Sequence, residues 1–350
     1  MINKEFSMSS SGSKRSKILI ADAEFAASAG DLSISYPQLE LVCATEDQSA
    51  NDMATGAFDG LICQFEPVDV DLLDKLSGLR AVLKMGRSYH NIDADTVRER
   101  GLVFGSVPRK GPNCVAELAL TFILSLSKDL LVSHQSVAEG AYRHRGIKPE
   151  ITAQWKMAFH WMKNVRVHEV VGKTLGIIGM GEIGCELARR ASVLGMRNIY
   201  YKRTPLSGEL ERRFDAEYRD LDKLLSESDY VVMATPHTPQ TEHMIGEREL
   251  SLMRETAFIV NISRGGVIVE DALIDALREN RIAGAGLDVF TYEPLSEDSP
   301  LCRLSNVIMT PHIGGGSGTN RGIELGAALD EMSRMLAGEK PLVDLSQPPL

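Results

Sequence analysis

Nothing restricts the fold of this chain more than the run Gly172-Lys173-Thr174-Leu175-Gly176-Ile177-Ile178-Gly179-Met180-Gly181-Glu182-Ile183-Gly184, which sets a G-x-G-x-x-G between an apolar strand and an amphipathic helix. The three glycines divide the work. Gly179 makes the tight turn, Gly181 lets backbone N–H groups approach a pyrophosphate, and Gly184 lets the helix pack closely on the strand. Helix N-terminal amides attract anions, so the motif predicts a dinucleotide-binding loop. A glycine-rich turn in an ordinary α/β core is the bland alternative, and the flanking strand and helix argue against it.

From Lys173 the chain continues as a βα series. Leu175–Ile178, Asn198–Tyr201, Tyr230–Ala234, Ala257–Asn261, Gly284–Val289 and Asn306–Met309 read as strands, separated by helices such as Glu182–Leu194 and Glu270–Arg278. A similar series precedes it, with short apolar runs at Ile18-Leu19-Ile20, Leu41-Val42-Cys43, Leu61-Ile62-Cys63, Ala81-Val82-Leu83 and Leu102-Val103-Phe104. Apolar runs without alternation, spaced by amphipathic segments, are the pattern of parallel strands covered on both faces. The chain is therefore expected to be α/β, with two doubly wound parallel-sheet domains. Val115, Leu118, Ala119, Phe122, Ile123, Leu126 and Leu130 recur at helical spacing, which predicts a long linking helix with Asn113 as its N-cap.

The expected boundaries are a disordered leader over 1–16, a first domain over 17–112 plus 318–350, and a dinucleotide-binding domain over 113–317. The leader is too rich in Ser and Lys to bury an apolar face. The last amphipathic stretch, Gly322 to Leu336, is expected to return to the first domain. Residues 140–171, with Trp155, Phe159 and Trp161 among many charges, show no clean period; an arm packed on another subunit or an interdomain cover are the alternatives.

Composition narrows the partners. Thirty-eight Lys and Arg against 48 Asp and Glu leave a formal charge of −10 in 350 residues, which disfavours nucleic acid and anionic membranes. No apolar run reaches the ~18 residues of a membrane span, and the N-terminus lacks a secretory apolar core. The five cysteines, Cys43, Cys63, Cys114, Cys185 and Cys302, form no C-x-x-C pair. Reduced thiols in a cytoplasmic protein are the expectation.

The strand after the glycine loop ends at Lys202-Arg203-Thr204. A carboxylate at that point would bond a ribose 2′-OH, whereas a 2′-phosphate needs cations. Lys202 and Arg203 thus favour NADP(H), with NAD(H) as the second choice. A solvated basic strand end is the other reading.

Three downstream stretches complete the pattern. They are Asn261-Ile262-Ser263-Arg264-Gly265-Gly266-Val267-Ile268-Val269-Glu270, Gly286-Leu287-Asp288-Val289-Phe290-Thr291-Tyr292-Glu293-Pro294, and Asn306-Val307-Ile308-Met309-Thr310-Pro311-His312. With the glycine loop, their order and spacing resemble the D-isomer-specific 2-hydroxyacid dehydrogenase family, including its glyoxylate and hydroxypyruvate reductases. The resemblance covers about Lys17 to Leu342 and is strongest from Gly172 to His312. It implies a Rossmann cofactor domain, a flavodoxin-like substrate domain, a cleft between them, and a homodimer.

In that family the residues matching Arg264, Glu293 and His312 form the catalytic set. An imidazolium at His312 would give a proton to the carbonyl oxygen while a hydride reaches its carbon, with the reverse in oxidation. Glu293 beside it would favour the charged ring and fix its orientation. Arg264 offers a planar fork for the substrate carboxylate, and no metal is needed. Taken singly, a surface Arg, a solvated Glu or a turn His would be ordinary.

The same resemblance implies cofactor contacts from the backbone of Glu182 and Ile183, from Thr235 and Pro236 on the adenine side, and from the Ile262 carbonyl. Asp288 would bond the nicotinamide carboxamide, or serve as a structural cap. The matching substrate loop is Gly86-Arg87-Ser88-Tyr89, where the family commonly has a small apolar residue and a second glycine at Arg87 and Ser88. Arg87 would add an anion contact or form an internal ion pair. Arg109 and Lys110 also replace the family's usual Pro-Gly with basic residues, and His237, where an apolar residue is usual, is read as surface.

The implied activity is reduction of a small 2-oxo acid to a 2-hydroxy acid. A phosphoglycerate-type dehydrogenase is an enzymatic alternative. A dinucleotide-sensing protein like the corepressors built on this scaffold is another, of a different class. Formate dehydrogenases of this fold carry Gln where Glu293 stands, which sets them apart.

Overall fold

A computed structural model describes residues 15–86, 89, 91–151, 161–162, 164, 166–316 and 319–346, with backbone alone for 319 and 320. The chain divides into two compact units, 1–110 with 317–350, and 111–316.

The second unit carries the glycine loop. Its strands are β8 (Thr174–Ile178), β9 (Arg197–Tyr201), β10 (Ala216–Tyr218), β11 (Tyr230–Met233), β12 (Phe258–Asn261), β13 (Gly284–Leu287) and β14 (Val307–Met309). They form one sheet in the order β10-β9-β8-β11-β12-β13-β14, and every pairing is parallel. Starting from β8, this is the 3-2-1-4-5-6 order of a dinucleotide fold with one strand added. Strand order reverses between β8 and β11, and that crevice at the strand C-termini is where ligands bind in open α/β sheets.

Both faces of this sheet are covered, which explains the unbroken apolar runs. Leu175, Ile177, Tyr200, Val232 and Val260 pack with Phe122, Ile123, Leu187 and Ala191 on one side. Ile178, Ile199, Val231, Met233 and Ile259 pack with Leu250, Leu273 and Leu277 on the other. Burying such a side chain contributes about 1.5–3 kcal/mol, so the sheet is the rigid frame from which the loops project.

The first unit contains β1 (Ser16–Ile20), β2 (Leu39–Cys43), β3 (Gly56–Ala57), β4 (Gly60–Cys63), β5 (Leu76–Ser77), β6 (Ala81–Met85), β7 (Val103–Val107) and β15 (Val343–Asp344). Its main sheet runs β15-β7-β6-β4-β1-β2, parallel except for the β15–β7 pair, while β3 and β5 form a small pair of their own. The five parallel strands have the 2-1-3-4-5 order of flavodoxin-like folds. Ile18 and Ile20 face one apolar layer and Leu19 the other. Helix Thr319–Leu336 packs Leu325, Ala328, Leu329 and Met332 onto this sheet, as its apolar spacing predicts.

Two expectations change. The first strand begins at Ser16, inside the expected leader, and residues 1–14 lie outside those described. The long helix spans Gly111–Ser127, so Asn113 lies within its first turn, and its side-chain oxygen accepts from Arg190 at 3.2 Å instead of capping. Within 140–171, Ala141–Arg145 is helical, and 152–160, with Trp155 and Phe159, fall outside the described residues; helix Leu130–Ala138 precedes the stretch.

Candidate active site

The glycine loop lies at the reversal of strand order. Gly179 adopts φ +104, and a Cβ there would stand 2.6 Å from the Ala234 carbonyl, so the turn closes against the end of β11 only with glycine. A Cβ on Gly184 would come within 2.4 Å of the Gly179 oxygen, which is how tightly the helix meets the turn. Gly181, by contrast, has nothing within 4 Å of its Cβ position, and it is the N-cap of helix Glu182–Val193 with no side chain capping it. Glu182 and Ile183 are the first two residues of that helix. An open cradle over an uncapped helix N-terminus fits a pyrophosphate.

The Gly179 N–H donates to the Tyr201 carbonyl at 3.0 Å, which brings the end of β9 against the loop. Lys202 is half-buried there, and Arg203 and Thr204 are exposed. Neither cationic side chain has a partner among the described residues. Thr235 and Pro236 follow β11 along the same crevice, where a Gly179 Cβ would also meet the Thr235 nitrogen at 2.7 Å. Ile262 follows β12 and is buried in the sheet's apolar layer.

Three loops at this end of the sheet carry Arg264, Glu293 and His312. Arg264 is exposed just past β12; its Nη1 donates to the Ser263 carbonyl at 2.7 Å, and its backbone N–H donates to Ser263 Oγ at 2.6 Å. The Asn261 amide then donates to the Arg264 carbonyl at 2.9 Å, closing the turn. Gly265 lies so close to the Phe290–Thr291 peptide that a Cβ would be 2.0 Å from the Phe290 carbonyl. That contact draws the Arg264 loop onto the loop carrying Glu293.

Glu293 divides its oxygens. Oε1 accepts from the Phe290 N–H at 3.1 Å, and Oε2 lies 2.6 Å from His312 Nδ1. Burial alone would raise its pKa, but the His312 and Phe290 hydrogen bonds, aided by the His312 and Arg264 charges, hold it below the usual carboxylate value. The His312 and Glu293 side chains remain 43% and 35% exposed. The sequence alone did not single out Glu270, whose carboxylate accepts from the Thr291 N–H at 3.0 Å and steadies the same loop. A backbone donor such as Thr291 or Phe290 leaves no residue-type signal.

Asp288 follows β13 directly. It is 1% exposed, and its carboxylate is taken up by Thr310 Oγ1 at 2.6 Å, the Ile313 N–H at 2.8 Å and the Gly314 N–H at 2.8 Å. These bonds tie the turn from Thr310 to Gly314 to the end of β13. His237 is exposed as expected, yet its ring packs over Gly266, where a Cβ would meet it at 2.8 Å.

In the first unit, Arg87 and Ser88 lie outside the described residues. Arg109 stacks its guanidinium over the Phe65 ring at 4.9 Å, and a Cβ on Gly86 would touch its Cδ at 3.0 Å. The Lys110 N–H donates to the Glu324 carboxylate.

Comparisons with known proteins identify the family of the chain. The family model described as D-isomer specific 2-hydroxyacid dehydrogenase, NAD binding domain, matches residues 120–314. Glyoxylate reductase from Thermococcus gammatolerans is 43% identical over 249 residues, covering 71% of each chain. Glyoxylate/hydroxypyruvate reductase B from Enterobacter sp. is 37% identical over 294 residues, covering 84% of this chain and 86% of that one. Among solved structures, holo D-mandelate dehydrogenase from Rhodotorula graminis has a TM-score of 0.69 at 28% identity, covering 95% of this chain and 98% of that one. The chain belongs to the D-isomer specific 2-hydroxyacid dehydrogenase family and is an NAD(P)-dependent oxidoreductase acting on 2-hydroxy acids.

Proposed function

We propose that this protein is an NADP(H)-preferring D-2-hydroxyacid dehydrogenase working mainly as a reductase of glyoxylate or hydroxypyruvate. The observation that carries the reading is the 2.6 Å contact between His312 Nδ1 and Glu293, made by loops at the same strand ends as Arg264 and the glycine turn. When bound, the nicotinamide supplies the hydride in reduction and takes it back in oxidation.

The chain's own residues do the rest. With Nδ1 committed to Glu293, His312 presents Nε2 to the reactant and gives its proton to the carbonyl oxygen, or takes it from the hydroxyl in the reverse direction. Glu293, kept ionised, stabilises the imidazolium and fixes the ring. Arg264 binds the substrate carboxylate with its planar fork and polarises the carbonyl beside it. Glu182 and Ile183 hold the pyrophosphate through backbone amides, and Lys202 and Arg203 answer the 2′-phosphate. Thr204, Thr235, Pro236 and the Ile262 carbonyl line the remaining cofactor surface.

A homodimer in the cytoplasm completes the proposal. Helix Leu130–Ala138 supports it, because it buries none of its residues and leaves Leu130, Leu131 and Val137 about half exposed. No helix among the described residues is long and apolar enough to cross a membrane. The deciding experiment is a spectrophotometric screen of 2-oxo acids with NADPH and NADH in parallel. Fastest turnover of glyoxylate or hydroxypyruvate with NADPH is expected, and cofactor binding without consumption would replace the reductase by a sensor.

A further inference from the structure

We infer that Tyr200 is a positioning residue for cofactor discrimination, its hydroxyl closing the loop that carries Lys202 and Arg203. The inference rests on the reading of that loop as the 2′-phosphate site and adds a buried residue that acts through it. Tyr200 lies on β9, is fully buried, and meets Tyr218 of β10 edge to face with ring centroids 5.7 Å apart. Its hydroxyl accepts from the Leu206 N–H at 2.8 Å and donates to Glu211 Oε1 at 2.9 Å. One bond holds the far end of the loop, and the other holds helix Gly208–Phe214, which follows it. Burial pushes the phenol up to about 12, with the Leu206 N–H opposing and the Glu211 carboxylate adding, so the hydroxyl keeps its proton and remains a donor.

Little else ties the loop down. Among the described residues, Lys202, Arg203, Thr204 and Pro205 make no hydrogen bond, and the Leu206 N–H is the first group after β9 to find a partner. The Tyr200 hydroxyl thus closes the span between β9 and Leu206. Lys and Arg side chains are long and rotamer-rich, so where their charges fall depends on the backbone beneath them. A loop held before the ligand arrives spares the ordering cost on binding, which is how preorganisation raises affinity. That gain belongs to a cofactor that engages the loop through its 2′-phosphate, and one without the phosphate gains little. The signature of the tether is therefore discrimination between NADPH and NADH, with turnover untouched, because Arg264, Glu293 and His312 follow other strands, β12, β13 and β14.

The test is Tyr200→Phe, which keeps the ring in its apolar layer and removes the hydroxyl. Three quantities are measured in the full-length protein well below its melting temperature: kcat and KM for NADPH and NADH with glyoxylate, the dissociation constant of each cofactor by fluorescence, and amide hydrogen exchange at Leu206. The NADPH dissociation constant and KM should rise by roughly threefold to tenfold, the range of one lost hydrogen bond, with kcat and the NADH values within about twofold of the wild type. Exchange at Leu206 should be faster. Unchanged discrimination between the cofactors would overturn the inference, and so would equal losses for both, which mark a general loosening of the fold. If the Phe variant fails to fold, Glu211→Gln and Glu211→Ala carry the same charge and differ in keeping or losing the acceptor. The Ala variant should then discriminate roughly threefold less than the Gln variant, and equal discrimination overturns the inference. Lys202→Asp in the same series separates the two claims. If it leaves the NADPH-to-NADH ratio unchanged, the phosphate reading of the loop is removed, while exchange at Leu206 in the Phe variant still decides whether the hydroxyl holds the loop. If Lys202→Asp shifts the ratio and Tyr200→Phe does not, the phosphate reading stands and Tyr200 has no part in it.

Discussion

Replacing Lys202 by Asp changes the charge facing a 2′-phosphate without touching the sheet, because Lys202 lies just beyond the last residue of β9 and its side chain has no partner among the described residues. Loss of one charge-assisted bond, taken at its low end because the site is open to solvent, costs NADPH about 1.5 kcal/mol. The new carboxylate repels the phosphate by about 1 kcal/mol at 4 Å in water. A hydrogen bond from the ribose 2′-OH to the same carboxylate improves NADH by about 1 kcal/mol. Together these shift the ratio of kcat/KM for NADPH over NADH by about 3.5 kcal/mol, or roughly 300-fold. The assay is initial rate at limiting cofactor with saturating glyoxylate. Wild-type preference should also weaken with added salt, since the Debye length is about 8 Å at physiological ionic strength. A change in the ratio of less than about threefold at low salt, against the several kcal/mol that such charges supply, would refute the claim that this strand end reads the 2′-phosphate.

Two further outcomes follow from named contacts. Gly184→Ala places a methyl 2.4 Å from the Gly179 oxygen and 3.2 Å from Ile177 Cγ2, so urea denaturation should show a loss of about 1–3 kcal/mol, accompanied by weaker dinucleotide binding. Glu293 has a folded-state pKa below its reference of 4.5, so its contribution to stability is fully present above that value and is lost as pH falls through the folded one. Melting temperatures of Glu293→Gln and wild type should therefore differ most near neutrality and converge in acid; a gap that widens as pH falls would contradict the sign.

Much of the framework was legible because buried parallel strands leave unbroken apolar runs. Ile18-Leu19-Ile20 and Leu175–Ile178 announce themselves since both neighbours in each run find an apolar layer. The edge strand β10 was missed for the same reason turned round: Ala216 is buried, Glu217 is exposed and Tyr218 is intermediate, so no run forms. The two-residue β15 is exposed throughout and offers no pattern either. The glycine loop could be read residue by residue, because turn, approach and packing each demand glycine. The pairing of Glu293 with His312 could not, for periodicity says nothing about two loops 19 residues apart, and it rested on family resemblance. Asp288 was ambiguous because its partners are mostly backbone N–H groups, which every sequence supplies. Asn113 misled because a Pro-Asn pair has the chemistry of a helix start, while the helix begins at Gly111.

The central claim is that the imidazole of His312 moves the proton while the rest of the site only binds and orients. Single-turnover reduction of glyoxylate by His312→Ala with bound NADPH measures this directly, because it separates the chemical step from cofactor binding. The expected rate is lower by roughly 10²–10⁴, with an NADPH dissociation constant close to that of the wild type. A variant that turns over at the wild-type rate would contradict it.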